Sequence, residues 1–429
     1  MKEGDKVRIA TNNESFEGIL MPSDDKFAVI KLSSGYNVGV NRDRIKELSF
    51  IEKLESEEES VSKKSSKNPR LPIISILHTG GTIASKVDYK TGGVISRFSP
   101  EELLSKFPEI KDLANIRSRL SSNMFSGDMR FAHQNILVKE IKKEISKGVD
   151  GIIITHGTDT MHYSSAGLSF MLKNLPIPVV LVGSQRSSDR GSTDAHVNII
   201  SAVAFITQSN ASGVFICMHE NSDDSSAVIL PGVKSRKVHT SARNAFKAVN
   251  SSPIASVDPY SKSVSFYRTD CNKKHNSQGE FSFLDEKLKV GMLYTHPNLM
   301  SKIVKSFKGF DGVVLIGTGL GNMSVDVIDN KTRENQKIFE AVQELIGSGT
   351  IVVMSSQCIF GAINMNVYQY GRKLKSIGVL GDNTDMHPET AFMKLAWLLS
   401  NFDKKNIPEL YGKNIVGEIS ERLEFDPDS

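Results

Sequence analysis

The chain has 429 residues, of which 39% are hydrophobic and 24% are charged, a composition typical of a globular protein with more than one domain. Its 53 lysines and arginines barely exceed its 49 acidic residues, so the charge balance does not by itself indicate a nucleic-acid-binding protein. The N-terminus lacks an apolar signal core and no run approaches the roughly 20 apolar residues of a membrane span, so we expect no association with a membrane.

Residues 1–50 contain short runs in which apolar and polar side chains alternate, separated by Asn, Asp, Ser and Gly residues typical of turns. This pattern predicts a small antiparallel β-barrel of about five strands. Such barrels bind protein partners or RNA, and the sequence leaves both open, since basic residues are common on solvated strand faces. Residues 51–70 place glutamates before lysines and serines with few apolar side chains, which predicts a charged linker.

The next segment is an apolar run over residues 73–77 that stops abruptly at the sequence TGGT, residues 79–82. A short β-branched run closed by paired glycines predicts a buried strand of a parallel α/β sheet. Ligands bind beyond the carboxyl ends of the strands in open sheets of this kind. A threonine hydroxyl at this turn would therefore project into a site, and Thr82 is the candidate nucleophile.

A second buried-strand run over residues 151–154 ends in the sequence HGTDTM, residues 156–161. Two such strand ends can meet side by side if the intervening chain winds back to the same sheet. A Gly-Gly turn flanked by threonines is often only a turn, so each motif alone is modest support for a catalytic site. The two motifs together predict a polar site at one edge of the sheet.

The rest of the chain continues the α/β pattern. Later strands are predicted at residues 178–183, 213–217, 289–294, 312–316 and 350–354. We expect residues 71–265 to form the α/β domain that holds the active site, residues 266–287 to be a polar linker, and residues 288–429 to form a smaller α/β domain. A helix is expected at residues 333–346, where apolar residues recur at helical spacing.

The sequence TGGTIAS at 79–85 followed by HGTDTM at 156–161 resembles the paired signature of the bacterial-type L-asparaginase family, and the resemblance extends from about Leu71 onward. It implies a two-domain α/β fold and hydrolysis of a side-chain amide. Thr82 would attack, Thr158, Asp159 and Lys237 would handle the proton, and Tyr89 would assist from the loop after the first motif. Lys237 is assigned by aligning the Phe-Lys pair at 246 and 247, because its basic segment also contains Lys234 and Lys247.

The same resemblance implies how the substrate is held. The sequence SGDM at 126–129 is similar to the family segment that binds the α-amino and α-carboxylate groups of the amino acid. Ser126 matches that segment, whereas Gly127 stands where many asparaginases have a glutamine, which leaves the substrate preference open. Asn322 matches an asparagine that completes the site of a neighbouring protomer, so the resemblance implies a dimer.

Three further features resemble the branch of this family formed by the D subunits (GatD) of archaeal glutamyl-tRNA(Gln) amidotransferases. They are the N-terminal barrel with its charged linker, the sequence QRSSDR at 185–190, and the segments at 364–368 and 386–391. The resemblance implies that this chain releases ammonia from glutamine or asparagine. A partner protein, the E subunit (GatE), would bind Glu-tRNA(Gln), use ATP and Mg²⁺, and form Gln-tRNA(Gln) within a heterotetramer built on a homodimer of this chain.

We expect no metal or cofactor in this chain. The sequence GTGLGN at 317–322 lacks both the dinucleotide fingerprint and the Lys-Ser/Thr of a phosphate loop, and the ten histidines show no paired spacing. The three cysteines are odd in number and widely spaced, which favours the reducing cytoplasm without structural disulfides. Two alternatives remain: a free-standing cytosolic L-asparaginase with an accessory domain, and a non-enzymatic RNA-binding protein.

Overall fold

The structure is a computed structural model that describes residues 4–21, 23, 25–32, 37–53, 68–81, 85–87, 94–96, 108–186 and 193–422. The candidate nucleophile Thr82 and the candidate loop residue Tyr89 lie outside the described residues, as does most of the predicted linker 51–70. Within the described ranges, no helix combines the length and the apolar character needed to cross a bilayer.

In chain order, the strands are β1 (Asp5–Ala10), β2 (Ser15–Met21), β3 (Phe27–Leu32), β4 (Asn37–Asn41), β5 (Glu47–Lys53), β6 (Ile73–Gly80), β7 (Ser85–Val87), β8 (Val94–Ser96), β9 (Asn115–Met124), β10 (Gly151–Thr155), β11 (Leu172–Lys173), β12 (Pro178–Val182), β13 (Gly213–His219), β14 (Ala227–Pro231), β15 (Ser235–Lys237), β16 (Phe246–Ala248), β17 (Ala255–Val257), β18 (Val264–Phe266), β19 (Glu280–Phe281), β20 (Val290–Tyr294), β21 (Gly312–Gly317) and β22 (Ile351–Ser356). The helices are α1 (Phe131–Ser146), α2 (Met161–Met171), α3 (Ala195–Gln208), α4 (Ser301–Lys305), α5 (Arg333–Gly347), α6 (Gln369–Ser376), α7 (Pro388–Asn401) and α8 (Ile407–Tyr411).

The N-terminal strands form one antiparallel sheet in the order β4-β3-β2-β1-β5. Alternate residues of its strands, including Val7, Ile9, Ala28 and Ile30, are fully buried and form a small core of their own. This confirms the predicted antiparallel domain of five strands. Because β4 and β5 lie at the two ends of the hydrogen-bonded order, closure of this sheet into a barrel stays a prediction.

The largest sheet has the order β18-β17-β14-β13-β12-β10-β6-β9, and its middle strands β6, β10, β12 and β13 run parallel. All five residues of β10 and of β12 are buried, as expected for β-branched runs covered by helices on both faces. The predicted strands at the two motifs are therefore confirmed as neighbours in one parallel sheet. β10 lies beside β6, with Thr155 opposite His78.

The smaller C-terminal sheet is parallel and has the order β20-β21-β22. The helix predicted at residues 333–346 is confirmed as α5, whose buried residues Ile338, Ala341, Val342 and Leu345 recur at helical spacing. The polar segment 266–287 includes β19, which pairs with β11 of the preceding domain.

Two helices join the α/β domains. α2 is buried almost throughout and packs against α7 of the C-terminal domain, where Phe170 stacks on Trp397 with ring centroids 5.7 Å apart. Residues of both sheets, such as Ile154 and Val314, belong to one continuous hydrophobic core. Since α2 begins directly after the second threonine motif, this packing fixes the motif against the C-terminal domain.

Candidate active site

The site forms where β6 and β10 end, because the two turns that follow these strands lie in contact. Gly81 has φ +82°, and a Cβ built on it would lie 2.5 Å from the backbone nitrogen of Gly157. The hydroxyl of Thr79 also donates to the carbonyl of Thr155 over 2.8 Å. Gly81 is therefore required for the close approach of the two backbones, which brings the two motifs side by side as the parallel strands predict.

Thr158 lies at the start of a 3₁₀ turn, Thr158–Thr160, that connects β10 to α2. It is 7% exposed, and its methyl group packs on the backbone of Gly183 at the end of β12, where a Cβ would lie 2.7 Å from Thr158 Cγ2. The methyl group is thus held by close packing. This contact leaves the hydroxyl on the side of the motif where Lys237 contacts it.

Lys237 reaches this hydroxyl from a two-stranded ladder in which β15 pairs antiparallel with β16. Its Nζ lies 2.9 Å from Thr158 Oγ1 and 2.7 Å from Asp159 Oδ1. The Lys237 side chain is 9% exposed, whereas that of Asp159 is 56% exposed. The structure thus brings together a hydroxyl, an amine and a carboxylate, with the amine in the middle and the carboxylate open to solvent. Such a set can move a proton between a hydroxyl and a reacting group.

The predicted substrate-binding segment lies beside the same turn. Ser126 is 3% exposed, and a Cβ built on Gly157 would lie 2.8 Å from Ser126 Oγ. The hydroxyl of Thr160 donates to the carbonyl of Ser126 over 2.7 Å, which joins the two turns. Gly127 follows on the exposed side of this segment, next to the ring of Phe125.

Asn322 lies apart from this group, on the turn after β21 in the C-terminal domain. Its backbone pairs with Thr318 over 2.9 Å. Within the described part of the chain, none of its hydrogen bonds reaches Thr158, Asp159 or Lys237. Thr82 and Tyr89 fall outside that part, so their roles stay predictions.

Two histidines beneath the turns are fully buried and hydrogen-bonded. His78 lies 2.9 Å from Thr155 Oγ1 and 2.7 Å from Ser118 Oγ, and burial lowers its pKa to about 4. Burial also lowers the pKa of His156 to about 4, and its ring contacts the Gly157 carbonyl and the Ser164 hydroxyl. Both rings are neutral near pH 7 and have protein partners at both nitrogens, which indicates a structural role.

Sequence reasoning did not identify Gly183, Arg236 or Glu389. The only local signal for Gly183 is its place directly after a buried strand, where a bare backbone can approach a neighbouring motif. Arg236 donates a hydrogen bond to Glu389, which lies 153 positions later in the chain. A local sequence pattern cannot predict a contact between residues so far apart. Among the described residues, no three His, Cys, Asp or Glu side chains are grouped closely enough to hold a metal ion.

Three family models match the chain. Residues 73–271 match "Asparaginase, N-terminal", residues 289–410 match "Glutaminase/Asparaginase C-terminal domain", and residues 1–51 match "GatD N-terminal domain". Together these matches span the antiparallel sheet and both α/β domains.

Solved structures share the fold of the two α/β domains. The thermostable L-asparaginase from Thermococcus kodakarensis is 29% identical and covers 82% of this chain and 100% of its own, with a TM-score of 0.71. L-asparaginase I from Vibrio cholerae is 25% identical and covers 82% of this chain and 99% of its own, with a TM-score of 0.68.

Curated relatives match over nearly the full length. The D subunit of glutamyl-tRNA(Gln) amidotransferase from Methanococcus maripaludis strain C5 is 40% identical over 432 residues, which cover 99% of this chain and 100% of that protein. The protein of the same name from Pyrococcus furiosus is 41% identical and covers 97% of this chain and 94% of its own. The chain therefore belongs to the GatD family of glutamyl-tRNA(Gln) amidotransferase subunits, with an asparaginase-like two-domain α/β fold behind an N-terminal antiparallel sheet.

Proposed function

We propose that this chain is the amide-hydrolysing component of a tRNA-dependent amidotransferase and releases ammonia from glutamine or asparagine. The observation that carries the proposal is the placement of the Lys237 amine 2.9 Å from the hydroxyl of Thr158, at the point where the two glycine turns touch. The match of residues 1–51 to the GatD N-terminal domain favours this function over that of a free-standing L-asparaginase.

The chemistry assigns a role to each predicted residue. Thr82 forms a bond to the carbonyl carbon of the side-chain amide, and its proton passes to the amine of Lys237 through Thr158. The carbon–nitrogen bond then breaks, ammonia leaves with that proton, and water hydrolyses the ester on Thr82 to give the free acid and the threonine. Desolvation and nearby charge decide whether a lysine is an ammonium ion or the neutral amine that can accept a proton.

The assignment of the attacking threonine rests on the resemblance of the first motif, since Thr82 lies outside the described residues. Asp159 supports the proposal because its carboxylate accepts from Lys237 over 2.7 Å and so orients the amine towards Thr158. In this proposal Tyr89 assists from the loop after the first motif, and Ser126 and Gly127 hold the amino-acid part of the substrate.

The remaining steps belong to the partner. GatE would bind Glu-tRNA(Gln), activate the glutamate with ATP and Mg²⁺, and combine it with the ammonia. Two copies of this chain would form the core of a cytoplasmic heterotetramer, with Asn322 of one copy completing the site of the other. This chain itself would hold no metal or nucleotide.

Ammonia release from L-glutamine and from L-asparagine tests this function, measured for the chain alone and then with GatE and Glu-tRNA(Gln). We expect a low rate of ammonia release for the chain alone and a rise of at least about tenfold with both additions. The reason is that binding of a partner or substrate commonly closes an active site and so brings its catalytic groups into place. A full rate without any addition would indicate a free-standing L-asparaginase. No ammonia under any of these conditions would contradict enzymatic function.

A further inference from the structure

Three residues of the segment that leads to Lys237 are attached to the C-terminal domain. The hydroxyl of Thr390 donates to the carbonyl of Val233 over 2.8 Å, and the ammonium of Lys234 donates to Asp385 over 2.5 Å. Arg236 follows, with Nε and one terminal nitrogen 3.2 and 3.1 Å from Glu389 Oε1. All three C-terminal partners come from residues 385–390, at the start of α7.

Glu389 also contacts the element that carries the other half of the site. Its Oε1 lies 3.8 Å from Nε2 of His162, which is the second residue of α2 and stands four positions after Thr158. Its Oε2 lies 2.9 Å from Nδ1 of His387. One buried carboxylate thus touches both β15, which ends at Lys237, and the beginning of α2, which follows Thr158–Thr160 directly.

The surroundings of Glu389 enclose its carboxylate and keep it charged. Its side chain is 9% exposed and that of Arg236 is 17% exposed. Burial alone would raise the pKa of Glu389, but the nearby His162 ring and the hydrogen bond with His387 outweigh this effect and hold the pKa below its usual value. The carboxylate is therefore ionised near pH 7, and its bond to Arg236 is a charge-assisted one of the stronger kind.

Such a connection matters because lysine is long and flexible. Four methylene groups separate its amine from the backbone, so the position of Nζ depends on a fixed strand as well as on its hydrogen bonds. Misplacing a catalytic group by about 1 Å can lower a rate by about 100-fold. The relative position of β15 and the start of α2 determines the distance between Lys237 Nζ and Thr158 Oγ1.

We propose that Glu389 is a positioning residue that fixes the Lys237 amine against the Thr158 hydroxyl, by holding β15 through Arg236 and the start of α2 through His162. This inference rests on the proposed function of Lys237 and Thr158. If the inference holds, the start of α7 in the C-terminal domain contributes to catalysis, although all the reacting groups of the site lie in the preceding domain.

The test is Glu389→Gln, measured as ammonia release in the complete complex with GatE and Glu-tRNA(Gln). We expect kcat to fall by about 10- to 100-fold and KM to change by less than about twofold, because the substrate contacts remain and only the alignment of the amine is lost. If Glu389→Gln does not fold, Arg236→Lys tests the same bond between Arg236 and Glu389 by changing the residue on β15. It keeps the charge but loses the planar fork, so a similar fall in kcat is expected.

The matched control is Glu418→Gln. Glu418 pairs with Lys394 of the same helix α7 over 2.6 Å, and both side chains are fully buried. This variant should lower thermal stability and leave kcat unchanged. A double variant, Arg236→Lys with Glu389→Gln, should lose no more activity than the worse of the two single variants, since both changes remove the same bond.

Unchanged kcat in a folded Glu389→Gln protein would overturn the inference. An equal loss of kcat in Glu418→Gln would also overturn it, because the effect would then follow general destabilisation. Lys237→Met separates this inference from the proposed function. If that variant keeps the wild-type rate, the assignment of the site itself is wrong, whereas an inactive Lys237→Met with an unaffected Glu389→Gln contradicts only the positioning role.

Discussion

Lys234 and Lys237 stand three residues apart on one segment, and their surroundings differ completely. Lys234 is 2% exposed and donates to Asp385, which is 4% exposed, so a charge pair is enclosed within the protein. Lys237 instead divides its hydrogen bonds between the hydroxyl of Thr158 and a carboxylate that is 56% exposed. The amine to which we assign catalysis is the one that shares a hydrogen bond with the Thr158 hydroxyl and lies beside an exposed carboxylate.

The enclosed pair serves a different purpose. Burial lowers the pKa of Lys234 below its usual value, while the charge of Asp385 opposes that shift. Removing one partner of such a pair leaves the other charge buried without its counterion. The two lysines should therefore respond to substitution in opposite ways, one through activity and the other through stability.

The largest effect is expected for Lys237→Met. Loss of the amine should lower ammonia release by about 10²- to 10⁴-fold, because general acid–base catalysis contributes on this scale and the attacking hydroxyl would have no base. The unfolding midpoint in urea should stay close to that of the wild type. Lys247→Met on the neighbouring strand β16 is the control, since this lysine is exposed and its amine donates to the carbonyl of Glu220 rather than to Thr158. Its activity should be unchanged.

Lys234→Met should act on stability. The free energy of unfolding is expected to fall by about 3–5 kcal/mol, because the carboxylate of Asp385 is left buried without its cation. Urea denaturation of this variant beside Lys237→Met measures the difference directly. If Lys237→Met were the less stable of the two, the distinction between an enclosed pair and a reactive one would be wrong.

The buried histidines under the turns predict a pH dependence of stability. His78 has its pKa lowered from 6.5 to about 4, so between these values the unfolded chain binds a proton that the folded protein does not. Stability is thus fully present above pH 6.5 and is lost as the pH falls towards 4, with His78 contributing at most about 3 kcal/mol. Urea denaturation of His78→Gln across this pH range measures how the free energy of unfolding changes with pH. In this variant the pH dependence should correspond to about one proton fewer taken up on unfolding than in the wild type. An unchanged slope would contradict a neutral, buried His78.

Asp159→Asn is expected to give the smallest effect. The amide keeps an oxygen that can accept from Lys237 and loses only the charge, which is already screened by solvent at this exposed position. Ammonia release should fall by about tenfold, with no change in stability. A loss as large as that of Lys237→Met would show that the charge of Asp159, and not only its orientation of the amine, is essential.

The sequence predicted the parts of this structure that depend on local patterns. The β-branched runs before TGGT and HGTDTM form neighbouring parallel strands, since such runs are stable only when covered on both faces. The alternating pattern of residues 1–50 likewise forms an antiparallel sheet of five strands.

Contacts between residues far apart in the chain could not be predicted from local sequence patterns. Lys237 was distinguished from Lys234 and Lys247 only by resemblance to a family, because all three lie in one basic segment and differ only in their tertiary partners. The bond between Arg236 and Glu389 joins two domains, so neither residue carries a local signal of it. Closure of the N-terminal sheet and the role of Thr82 remain predictions.

Covalent labelling tests the account most directly. An electrophilic analogue of glutamine, incubated with the complete complex, should form an adduct that peptide mass spectrometry locates on Thr82, and the adduct should not form in Lys237→Met. An adduct on a residue outside the two glycine turns, or one that forms equally fast without Lys237, would contradict the proposal that these turns and this amine open the amide.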